Sequence, residues 1–118
     1  MRQIELEYQG GLRTEAVHLK SGQRLITDAP VDNKGKGEAF SPTDLAAGAL
    51  GSCMLTIMGI TADSRDKDIT GTRAEVGKVM GANPRRISEI IIHIYFQITL
   101  GDQEKRLFEK SAHSCPVH

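Results

Sequence analysis

The chain has 118 residues, enough for one domain with a core of its own. Its 15 Lys and Arg balance its 15 Asp and Glu, so no net field draws it to nucleic acid or to anionic lipid. With no tryptophan, 2 tyrosines and 3 phenylalanines, the composition also argues against a stacking platform for single-stranded nucleic acid.

Residues 2–8 alternate, with Ile4, Leu6 and Tyr8 on one side and Gln3, Glu5 and Glu7 on the other, which predicts a half-buried strand. Gly10-Gly11 breaks it. A second strand follows over 13–19 with Val17 and Leu19 facing inward, and a third over 24–27 after the Ser21-Gly22 turn. Asp28 to Phe40, with Pro30, Asn33, Gly35 and Gly37, reads as a loop within the domain. Ser41-Pro42-Thr43-Asp44 is a helix start: serine at the N-cap, proline at the first helical position, and an acid placed to close a capping box. The helix should run to Ala62 or Asp63.

Its residues Leu45 to Ala62 are uncharged and approach the length of a membrane span. The many Gly, Ala, Ser and Thr residues, and the lack of a flanking basic cluster, favour a buried helix in a soluble protein. Ala49, Ser52, Cys53 and Thr56 form a small-residue face that would let another backbone approach closely.

Two further strands are expected over 70–80 and 87–100, joined by Gly81-Ala82-Asn83-Pro84, with Ile90, Ile92, Ile94, Phe96, Ile98 and Leu100 on one face. Asp102 is placed to cap a last helix whose buried side carries Leu107, Phe108, Ser111, Ala112 and Cys115. Pro116 disfavours helical geometry at Cys115, so that sulfur belongs at a helix break. The order is β-β-β-α-β-β-α, an α+β fold of helices laid against antiparallel sheet, in a single domain spanning residues 1–118.

The chemistry-bearing residues are few. The N-terminal residues Met1-Arg2-Gln3-Ile4-Glu5 hold no apolar stretch of the secretory type, which points to a cytoplasmic location. There, a cysteine pair is catalytic, metal-binding or inert before it is a structural disulfide. Cys53 and Cys115 each have an ordinary reading as small core residues, and periodicity does not bring them together. A reactive thiolate would need a positive neighbour, and Arg13 beside the glycine turn is one candidate. Its ordinary reading is a solvated arginine at a strand end. His113, Cys115 and His118, with Cys53, could make a tetrahedral zinc set, but Cys53 lacks the short-spaced partner that such sites usually show. His18 and His93 fall on outward strand faces. No phosphate loop, dinucleotide fingerprint or hydrolase motif is present, and Lys34-Gly35-Lys36-Gly37 reads as a flexible basic turn.

The stretch Gly37-Glu38-Ala39-Phe40-Ser41-Pro42-Thr43-Asp44-Leu45 through Gly51-Ser52-Cys53-Met54 resembles the OsmC/Ohr superfamily, the osmotically inducible and organic hydroperoxide resistance proteins. So do Ser114-Cys115-Pro116-Val117, the Asn83-Pro84-Arg85-Arg86-Ile87 hairpin and the element order. The resemblance implies an intertwined homodimer, with sheets wrapped around two long central helices, and a cofactor-free, metal-free thiol peroxidase site at the dimer interface. Cys53 then corresponds to the peroxidatic cysteine and Cys115 to the resolving one, the two closing to a disulfide. Arg13 is the implied activator. The implied partners are an organic hydroperoxide and an external dithiol, lipoyl-type in characterised relatives. Two departures stand out. The family peroxidases carry a glutamate where this chain has Thr43, leaving Asp44 or Glu38 as substitutes, and Leu12 is inserted between the glycine turn and Arg13. Relatives also continue beyond the Cys-Pro-Val motif into a short helix and a last strand. A reading from another class is a non-catalytic protein that binds a small hydrophobic molecule in the interface cleft.

Overall fold

A computed structural model describes residues 2–118. The strands are β1 (Ile4–Gly10), β2 (Arg13–His18), β3 (Arg24–Asp28), β4 (Arg73–Gly81) and β5 (Arg86–Tyr95), and the helices are α1 (Pro42–Asp63) and α2 (Asp102–Ala112). The predicted β-β-β-α-β-β-α order is therefore the observed one. The residues gather into two compact units, 1–45 and 46–118, with the first turn of α1 in the former.

The first unit is an antiparallel sheet with β2 in the middle. Gly10, Gly11 and Leu12 carry the β1–β2 turn at φ of 83°, 60° and 61°, left-handed values that glycine adopts without cost. The inserted Leu12 is absorbed there, and its carbonyl accepts from the Ala29 amide at 3.0 Å. The alternating row Ile4, Leu6 and Tyr8 does form a strand, but these residues are 57%, 63% and 64% exposed. Expected to be half-buried, the row has no second layer within this unit. What the unit buries instead is polar: Thr27, Asp28 and Ser41.

The loop after β3 is ordered by its own backbone. The amides of Asn33 and Gly35 both donate to the Pro30 carbonyl at 2.9 Å, around a 3-10 turn at Val31–Asn33. A Cβ on Gly35 would lie 1.7 Å from the Ala29 carbonyl oxygen, so only glycine fits this close approach. The capping box forms as predicted. The Asp44 amide donates to Ser41 Oγ at 3.0 Å, and the Ser41 amide donates to Asp44 Oδ2 at 3.2 Å.

In the second unit, β4 and β5 pair from Arg73↔Tyr95 to Gly81↔Arg86, with a bulge at Val79/Met80. Both strands are shorter than the alternation suggests. Asp68 and Ile69 turn the chain by accepting from Thr70 and Thr72, so β4 starts at Arg73. β5 stops at Tyr95 because Phe96 and Leu100 leave the ladder to pack on the helices.

That core is Met58 and Ala62 of α1 against Phe108 and Ala112 of α2, flanked by Met54, Ile69, Ile94, Phe96 and Leu100. The Phe96 and Phe108 rings meet at 5.8 Å in a tilted pair. The buried row of α1 is Ala47, Gly51, Met58 and Ala62. The predicted small-residue face differs: Ala49, Ser52 and Thr56 are exposed and Cys53 half-buried. Side-chain size alone did not mark the covered side; the long Met58 chooses it by filling the space above Phe108. Asp102 likewise is not the cap of α2. Gly101 takes that position, and Asp102 and Glu104 lie in the first turn, where their charge suits the helix N-terminus.

Candidate active site

Cys53 lies midway along α1, and the end of α2 brings Cys115 to it. Ala112, packed in the core with Met58, fixes where α2 stops. Beyond it the chain winds through tight turns, the Ser114 amide donating to Ser111 at 3.0 Å and the Cys115 amide to Ala112 at 3.3 Å. Proline at 116 ends this winding, and Cys115 sits at the break, as expected. Cys53 and Cys115 form a disulfide with their Cα atoms 5.9 Å apart, inside the usual range for such bridges.

The two sulfurs sit in different surroundings. Cys115 is 5% exposed, whereas Cys53 is half-buried. The Val117 amide donates to Cys115 Sγ at 3.3 Å, and the His118 amide donates to the Cys115 carbonyl at 3.0 Å, closing a turn around the sulfur. The His113 and His118 rings meet edge to face at 5.5 Å. As a disulfide the sulfurs are not thiolate ligands, and the described residues include no group of three or more His, Cys, Asp or Glu side chains able to hold a metal ion.

Arg13 belongs to the first unit, where the register sets it directly opposite Asp28. Its Nε and Nη2 donate to the two Asp28 oxygens at 2.7 Å each, and Nη2 also donates to Glu38 Oε1 at 2.9 Å. The Glu38 amide donates to Asp28 Oδ2 at 3.1 Å, so the loop and the ladder hold one cluster. Asp28 is wholly buried, and its charge is matched by this fork. The hydrogen bond from Arg13 holds the Asp28 carboxyl below its ordinary range, more than offsetting the opposing effect of burial. The same hydrogen bond raises the already high pKa of Arg13.

Of the two carboxylates weighed as substitutes for the one missing at Thr43, Glu38 does pair with Arg13, while Asp44 closes the α1 capping box. Asp28, the main partner, was missed because it reads as the first residue of a loop. Its signal was positional: an acid at the end of the third strand, opposite an arginine at the start of the second.

The second unit also has a cleft of about 370 Å³ with Met54, Met58, Ile94 and Phe96 among its walls and Lys105 and His113 at its polar part. Met54 follows Cys53 in the chain, and His113 is two residues before Cys115.

The profile of the OsmC-like protein family matches residues 35–118, which includes Cys53, Cys115 and the helix between the capping box and Asp63. The chain belongs to the OsmC-like family. A solved structure from Psychrobacter arcticus 273-4, described as a candidate osmotic stress induced and detoxification response protein, is 57% identical with a TM-score of 0.97, the match covering 99% of this chain and 85% of that one. More distant OsmC-like structures share the fold. An organic hydroperoxide resistance protein OsmC from Legionella pneumophila is 16% identical at TM-score 0.72, over 99% of this chain and 87% of that one. An OsmC-like protein of unknown function from Vibrio cholerae is 11% identical at TM-score 0.78, over 97% and 88%. No curated protein matches this OsmC-like chain.

Proposed function

We propose that this OsmC-like chain is a thiol peroxidase that reduces organic hydroperoxides through a two-cysteine cycle, working as a cytoplasmic homodimer. The observation that carries the reading is the Cys53–Cys115 disulfide, which joins a half-buried sulfur on a helix to a buried one in a turn. In the forward step the Cys53 thiolate attacks the terminal oxygen of the hydroperoxide. The O–O bond breaks, the alkoxide leaves and takes up a proton as the alcohol, and Cys53 becomes a sulfenic acid. Cys115 then attacks Cys53 Sγ and expels hydroxide, which leaves as water and closes the disulfide. An external dithiol, of lipoyl type, returns the two electrons by exchange.

Arg13 is the activator in this reading, as the resemblance implies, and within its own unit Asp28 and Glu38 orient it where Thr43 replaces the family carboxylate. Met54, Met58, Ile94 and Phe96 on the apolar side of the cleft support an organic hydroperoxide over hydrogen peroxide, alongside the polar His93, Lys105, Glu109 and His113. The exposed row Ile4, Leu6 and Tyr8 supports a homodimer that covers it. Turnover of cumene hydroperoxide with a dithiol tests the function: wild type should consume it and Cys53→Ser should not. Equal consumption by both would overturn the peroxidase and leave a ligand-binding role for the cleft.

A further inference from the structure

The disulfide is asymmetric, and the asymmetry bears on how it is reopened. This inference rests on the redox reading of the cysteine pair and deepens it. In thiol–disulfide exchange the attacking thiolate takes the sulfur it can reach, and the other sulfur departs faster the better its negative charge is stabilised. Access and leaving-group stability point the same way here. Cys115 is 5% exposed and enclosed by its own turn, while Cys53 is the more open of the two. The Val117 amide, donating to Cys115 Sγ at 3.3 Å, stabilises charge on that sulfur. Among the described residues no hydrogen bond of this kind reaches Cys53.

We infer that the reductant enters on Cys53 and that Cys115 is the leaving group, with the Val117 amide setting this direction. One reductant thiolate attacks Cys53 Sγ, a reductant–Cys53 bond forms, the Cys53–Cys115 bond breaks, and its electron pair stays on Cys115 as the thiolate. The second thiolate of the dithiol then attacks the reductant's own sulfur in the mixed disulfide. That closes the reductant to a cyclic disulfide and frees the Cys53 thiolate. The dithiol is oxidised by two electrons and both cysteines are reduced. The turn at Cys115 thus regenerates the attacking thiolate last, on the sulfur that meets the next hydroperoxide.

The test uses the oxidised full chain and a monothiol, glutathione, which cannot complete the second step. After brief exposure, acid quench and alkylation, peptide mass mapping should place glutathione on Cys53 and the alkyl group on Cys115. Glutathione on Cys115, or an equal distribution, would overturn the inference. Val117→Pro, which removes the amide hydrogen, should slow adduct formation roughly two- to tenfold. Val117→Ala, which keeps it, should not; equal rates in all three chains would remove Val117 from the argument. In the Cys53→Ser chain the Cys115 thiol should alkylate with a higher apparent pKa once Val117→Pro is added, a shift that a merely structural role would not produce. Failure of peroxide-treated protein to form the disulfide at all would overturn the redox cycle itself, a result distinct from a misdirected adduct.

Discussion

Arg13 and Asp28 face each other across the β2–β3 ladder, and because Asp28 is buried the pairing is obligatory. A carboxylate with no solvent must be matched or neutralised. Its pKa is lowered, so the pair stabilises the folded chain fully above the ordinary carboxylate range, near pH 4, and the contribution is lost as pH falls through the lowered value. Urea midpoints measured from pH 7 downward should fall in acid for wild type. In Asp28→Asn they should be lower at neutral pH and flatter across the acid limb. Glu38 is the exposed member of the cluster and tests its electrostatics more gently. Glu38→Gln should leave the fold intact and cost at most about 1 kcal/mol in urea unfolding, because it removes only a screened, exposed partner of Arg13.

At the scale of elements, α1 is held by close contacts as much as by bulk. A Cβ on Gly51 would lie 2.8 Å from Val76 Cγ2 of β4, so the helix and strand meet where glycine permits it. Gly51→Ala should cost about 1–3 kcal/mol in chemical denaturation, and adding Val76→Ala should recover much of that. Phe108→Ala, at the centre of the α1–α2 core, should cost about 3–5 kcal/mol. The helices, the capping box and the strand order were legible because each rests on local signals: Ser41 with Asp44, the alternation of Ile90, Ile92 and Ile94, and the break before Pro116. The ends of β4 and β5 were not, since Phe96 keeps the strand's alternation while packing on Phe108. Nor was the covered face of α1, which depends on what approaches the helix. Cys53 and Cys115 were legible as candidates, but their bridge follows from where the core stops α2, which no spacing in the sequence states. Asp28 needed the register of two strands.

At the scale of the molecule, the disulfide closes a loop of 62 residues and ties the centre of α1 to the turn after α2. Chain-entropy arguments give a bridge closing a loop of this length about 4 kcal/mol. Oxidised protein should therefore unfold at higher denaturant than reduced protein, and Cys115→Ser should behave like the reduced form under both conditions. The exposed apolar strand face makes a second whole-molecule prediction. Sedimentation should show a dimer, and Leu6→Lys on that face should weaken it; a monomer at micromolar concentration would remove the dimer from the account. If Cys53 and Cys115 act as one redox pair, a stoichiometric titration of reduced protein with cumene hydroperoxide will oxidise them together. Wild type should lose both thiols for each hydroperoxide consumed and gain the Cys53–Cys115 bridge by mass mapping, while Cys115→Ser stops at a sulfenic acid on Cys53. Retention of both thiols in wild type, or hydroperoxide loss that proceeds equally in Cys53→Ser, would contradict it.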